Sequence, residues 1–165
     1  MNDTRSYTRT KAQAWHGYEA WRIGVSANQH GEHAREGQEE DALTNRMIRV
    51  DVSRHLFDIH RDLSVTTRAQ RPGPPTRIDG MTVGIITIED DAPHRGEVHP
   101  DGDEILYVVS GSLQVTGESE PDAPMELRAG EACIVPKGEW HRVHVLERTQ
   151  LIHITPGPGG DHRPL

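Results

Sequence analysis

The stretch GEVHPDGDEILYVVSG, residues 96–111, decides how this chain is read. It sets Glu97, His99 and Glu104 around a turn of Pro, Asp and Gly, continues as apolar and β-branched residues, and stops on Ser110-Gly111. Successive side chains of a strand point to opposite faces, so Glu97 and His99 share a face. The turn PDGD is long enough to return Glu104 beside His99, and one hairpin could then deliver two carboxylates and an imidazole to one point. The alternative is that these are ordinary loop polars at a strand end. Asp101 and Asp103, on either side of Gly102, read as turn formers.

A second stretch, GEACIVPKGEWHRV over 130–143, has its own punctuation. Gly130 opens a strand, Pro136 ends it, Gly138 permits a turn and His141 opens the next strand. His141, Val143 and Val145 share a face. If that face is the interior of a barrel, His141 is aimed at the same lumen as the first three groups. Leu106 and Val108 share the face of Glu104 and would line it, whereas Tyr107 belongs to the opposite face. Trp140 reads as a cover for the rim.

These two stretches resemble the two signature motifs of the cupin superfamily. The second fits closely: Gly130, EACIV, Pro136-Lys137-Gly138, EW, His141. Val145 stands where an Asn often follows. The first keeps the family spacing as Glu97-Val98-His99, PDGD, Glu104, ILYVVS, Gly111, with Glu97 in place of the usual first His. The resemblance covers roughly residues 81–156 and implies an all-β fold, a double-stranded β-helix (jelly-roll) barrel of two packed sheets holding one divalent metal. By that resemblance His99, Glu104 and His141 occupy liganding positions and Glu97 sits where the missing His would be. Carboxylate and imidazole together suit Fe, Mn, Ni, Zn or Co, and two His with carboxylates approach the facial set of non-haem iron oxygenases. The resemblance implies a metal-dependent enzyme on a small organic molecule, of dioxygenase-like or isomerase, cyclase or lyase type. The alternatives are a non-catalytic ligand-binding or sensor barrel, metal-free in some forms, and a structural oligomerisation barrel. A homodimer is expected.

The surrounding pattern agrees with a barrel. From 81 onward short runs rich in Val, Ile and Thr (81–89, 104–110, 112–118, 125–129, 131–136, 141–147, 150–156) are separated by turn signals, the signature of a sandwich or barrel. With 16 Gly, 11 Pro and 4% aromatic residues, many turns and an aliphatic core are expected. Before that, 45–52 alternates well enough for a strand, 53–63 could form one or two helical turns with Ser53 as N-cap, and 68–80 is a Pro-rich loop. Residues 1–45 read as an extension, with Trp15, Tyr18 and Trp21 in a short helix or extended arm and a polar linker over 26–42. The barrel is expected over 46–157 and a flexible tail over 158–165.

Across its 165 residues the chain carries a net charge of −8. An acidic chain repels phosphate backbones and anionic lipid, so a small-molecule partner is expected rather than nucleic acid or membrane. No apolar run approaches the ~20 residues of a spanning helix, and the first residues lack the apolar core of a secretion signal. The lone Cys133 rules out an internal disulfide and reads as a small buried hydrophobe. A cytoplasmic location is therefore expected. The remaining histidines receive no site role: His144 and His153 read as surface or hydrogen-bonded core groups, and His30 and His33 as solvated linker residues.

Overall fold

The alternation over 104–110 is realised as a strand whose inward side chains, Glu104, Leu106 and Val108, are buried while Tyr107 and Val109 face out. The computed structural model describes residues 46–71 and 76–164. It contains eleven strands: β1 His55–His60, β2 Val65–Ala69, β3 Gly80–Ile88, β4 Glu97–Val98, β5 Glu104–Ser110, β6 Ser112–Gly117, β7 Met125–Arg128, β8 Ala132–Val135, β9 His141–Val145, β10 Thr149–Pro156 and β11 Asp161–His162. They form two antiparallel sheets, ordered β2-β1-β3-β10-β5-β8 and β11-β4-β9-β6-β7. This is the all-β, two-sheet barrel that the sequence pattern implies.

The two sheets close over an aliphatic core of Ile88, Leu106, Val108, Leu113, Val115, Leu127, Val135 and Leu151, joined by Cys133. Chain-consecutive strands repeatedly change sheet. Gly111, at φ +82°, turns the chain between β5 and β6. A side chain there would collide with the Arg148 carbonyl, so the corner needs glycine. Burial raises the Cys133 thiol to about 11, with the Glu104 charge adding to the effect. The thiol is therefore inert packing, as its sequence setting implies.

The structure corrects several local expectations. Residues 46–54 form no strand, and Asp51 instead closes a turn by accepting from the Ser53 amide (3.0 Å) and hydroxyl (2.6 Å). The segment 53–63 is not helical. His55–His60 extends because Asp58 then meets Arg68 of β2, which donates through Nε and Nη2 at 2.7 and 2.9 Å, and Thr82 of β3, which donates at 2.9 Å. A helix would bury that carboxylate without these partners. The PDGD turn does not close a hairpin either: β4 pairs with β9 and β11, and β5 with β10 and β8, so residues 100–103 cross from one sheet to the other. The segment 158–165, expected as a flexible tail, contributes β11, paired to β4. Next to it the Arg163 guanidinium lies 3.9 Å from the centre of the Trp140 ring. Trp15, Tyr18, Trp21, His30 and His33 lie outside the described residues. Among the described residues no helix is long and apolar enough to cross a membrane.

Leu113 is fully buried and Ile134 is 67% exposed on the outer face of β8. Leu113→Ala is expected to cost about 2–5 kcal/mol and Ile134→Ala less than about 0.5 kcal/mol, read from urea unfolding midpoints. Equal losses would mean that the two-sheet core is misplaced.

Candidate metal centre

Two turns, one from each motif, are docked on each other. The Asp103 carboxylate accepts from the Lys137 amide at 2.7 Å, and the Gly138 amide donates to the His99 carbonyl at 3.0 Å. Gly138 takes φ +79°, the conformation that this Pro-Lys-Gly turn requires. The docking places β4 and β9 side by side, with Glu97 opposite His141 in the register. Gly96, at φ +137°, lets the chain pass close to the His141 carbonyl.

The four sequence-derived candidates converge. Nε2 of His99 lies 3.4 Å from Glu104 Oε1 and 3.9 Å from Glu97 Oε2. Nε2 of His141 lies 3.0 Å from Glu104 Oε2 and 3.8 Å from Glu97 Oε1. One donor atom each from Glu97, His99 and His141 falls within 4.8 Å of the others. His99, Glu104 and His141 are each 3% exposed, whereas the Glu97 side chain is 30% exposed and faces these groups, not Arg95 or Arg142.

The donor set fits a divalent cation. Both nitrogens of His99, Nε2 of His141 and Oε2 of Glu104 are buried without a hydrogen bond. Orphaned buried polar atoms are rare and costly, and here they cluster and point inward. His141 Nδ1 donates to the Glu139 carbonyl at 3.4 Å, the kind of contact that orients a ligating imidazole. Burial opposes charge on both partners, yet the neighbouring groups win. Imidazole contacts from His141 and His99 hold the Glu104 carboxyl far below the ordinary range, and the Glu104 and Glu97 carboxylates raise His141.

Above these groups lies a cavity of about 550 Å³, lined by aliphatic side chains such as Ile86, Leu106, Val143, Val145 and Leu151 and by polar ones that include Arg68, Arg71 and Arg77. Leu106, Val143 and Val145 are the lining that strand alternation assigns; Val108 packs in the core instead. Three polar residues of the site escaped the sequence reading. His94 is buried, lines the cavity and accepts from the Gly96 amide at 3.3 Å; burial lowers its pKa against the pull of Glu97. His153 and Thr155 project from β10 into the same cavity. Thr155 donates to Glu104 Oε1 at 2.5 Å, and His153 Nδ1 lies 2.8 Å from the Thr155 hydroxyl. Burial lowers the His153 pKa although Glu104 and Glu97 pull it up. The period-2 spacing Leu151-His153-Thr155 carries this signal, but Ile152 and Ile154 make the opposite face look equally buried.

Residues 84–155 match the cupin domain family. Solved structures similar to the chain include a cupin-2 domain protein of Shewanella frigidimarina (27% identity, 47% of this chain and 71% of that one, TM-score 0.40). A Neisseria meningitidis protein (24%, 51% and 84%, 0.40) and the oxalate decarboxylase of Bacillus subtilis, whose structure has Mn(II) centres (22%, 50% and 23%, 0.42), are also similar. No curated protein matches the chain in sequence. The fold defines the class as a small all-β barrel of two antiparallel sheets. The resemblance to the cupin domain family is confined to residues 84–155, within this barrel.

Asp91 pins the loop that carries His94 to β9, accepting from the Val145 amide at 2.7 Å and pairing with His144 at 2.8 Å. Burial would raise its carboxyl, but the His144 and Val145 hydrogen bonds hold it below the ordinary 3.8. A depressed carboxylate stabilises the fold above its unfolded value and ceases to do so as pH falls through the folded one. The stability gap between wild type and Asp91→Asn should be constant at neutral pH and shrink below about pH 3.8. A gap independent of pH across acid denaturation curves would refute that role for Asp91.

Proposed function

We propose that this chain is a metal-dependent cupin enzyme acting on a small organic molecule, with Glu97, His99, Glu104 and His141 holding one divalent ion. The observation that carries this reading is the cluster of buried, unpartnered donor atoms at the floor of a cavity. A binding module has no need to keep two imidazoles and a carboxylate dry and unsatisfied beside a pocket, since that arrangement costs stability. When bound, the ion would supply Lewis acidity or a meeting point for substrate and O₂, the chemistry behind the dioxygenase-like and the isomerase- or cyclase-like forms of the proposal. The protein's own contribution is to orient His141 through the Glu139 carbonyl, orient Glu104 through Thr155 and exclude water with the aliphatic part of the lining. Glu97, half exposed, is the ligand best placed to yield to substrate.

The test is metal content. The purified protein, reconstituted with Fe(II), Mn(II), Co(II), Ni(II) or Zn(II), should hold about one ion per chain with at least one of them. His99→Ala and His141→Ala should weaken binding by about 100-fold or more, since even loss of a supporting partner costs 10–100-fold. Retention of full affinity in both variants would rule the site out. Oxygen-consumption and isomerisation screens on the loaded protein then separate the reaction types.

A further inference from the structure

We propose that His153 is the proton acceptor of the cavity, taking the proton of an acidic O–H group, an enol or a phenol, on the bound molecule. This rests on the reading of the cavity as a substrate site and adds the role of a residue outside the donor set.

The argument begins with a single hydrogen. The Thr155 hydroxyl has one proton, and it is given to Glu104 Oε1 at 2.5 Å. Glu104 Oε1 accepts that proton, so the hydroxyl has none left to offer. The hydroxyl oxygen can therefore only accept from His153, whose Nδ1 lies 2.8 Å away. His153 Nδ1 must carry a hydrogen, and in the neutral ring Nε2 then carries the lone pair. The tautomer of His153 is thus fixed by Glu104 through Thr155.

The position of the ring is equally fixed. His153 pairs with Gly84 across β3 and β10, and a Cβ added at Gly84 would run into the ring, Nε2 first. Glycine inside a strand marks a close approach, and here the space it leaves is occupied by the imidazole. Among the described residues the ring's hydrogen bond is made by Nδ1, to the Thr155 hydroxyl. His153 lines the cavity that also contains Glu97, His99 and Glu104. A ligand seated there meets a lone pair on one side and the donor cluster on another. The step balances simply: the O–H bond of the ligand breaks, its proton goes to Nε2, and the electron pair stays on the ligand oxygen. The imidazolium so formed is stabilised through Thr155 by the Glu104 carboxylate, in the way an acid group supports a catalytic histidine. The aliphatic part of the lining fits the apolar body of an enol or phenol.

Two measurements on the full chain test this. In ¹⁵N-resolved NMR of the metal-free protein near neutral pH, His153 should show a protonated Nδ1 and a bare Nε2, and Thr155→Val should abolish that preference. A protonated Nε2 in the wild type overturns the proposal. Next, 4-nitrocatechol is added to Zn(II)-loaded wild type, His153→Gln and Gly84→Ala, with zinc stoichiometry measured for each. The wild type should bind the probe in its ionised, absorbance-shifted form. Both variants should keep their zinc, while the ionised bound fraction falls about tenfold or more, the size of one hydrogen bond to a charged group. Unchanged ionisation in His153→Gln, or no ionisation in the zinc-loaded wild type, defeats the proposal. Failure of the wild type to hold zinc defeats the metal reading instead, and the tautomer result then judges His153 alone.

Discussion

The structure turns on one costly arrangement: His99, Glu104 and His141 are withdrawn from water with four of their polar atoms unbonded. A barrel stabilised by aliphatic packing alone would replace such groups with Val or Leu at no loss. The chain instead devotes two turns, two glycines with positive φ and the half-buried Thr155 to holding them. The Asp103–Lys137 and His99–Gly138 hydrogen bonds lock the turns together, so the two motifs act as one unit although they enter from different sheets.

That unit is asymmetric. One side of the cluster is sealed by the core around Leu106 and Val135, and the other opens, through half-exposed Glu97, to the cavity. Polar groups continue along the inner face of the larger sheet. Asp58, Arg68 and Thr82 form a bonded group on β1–β3, and Thr155 and His153 continue it on β10 towards Glu104. Beyond them aliphatic side chains share the wall with Gln70, Arg71, Arg77 and Asp90. The cavity thus has the His and Glu donors at its floor and a mixed polar and aliphatic wall.

Much of this was legible in the sequence because strand alternation and glycine punctuation are local. The spacing of Glu97, His99 and Glu104 and of Gly130, Pro136, Gly138 and His141 sufficed to bring the candidates together. What escaped depends on sheet topology. Residues 53–63 look helical by propensity, yet Asp58 finds Arg68 and Thr82 only when the segment is extended, and those partners are 10 and 24 residues away. PDGD looks like a hairpin turn, and only the strand order shows it to be a crossover. His153 is ambiguous because β10 lies in the middle of its sheet with apolar residues on both faces, so burial alone does not say which face meets the cavity.

The most direct test is X-ray absorption at the metal edge of the reconstituted protein, which reads the ligands rather than the presence of an ion. The account expects a first shell of nitrogen and oxygen only, with the multiple-scattering signature of two imidazoles that drops to one in His141→Ala. A shell without imidazole, or one unchanged by that substitution, would contradict it.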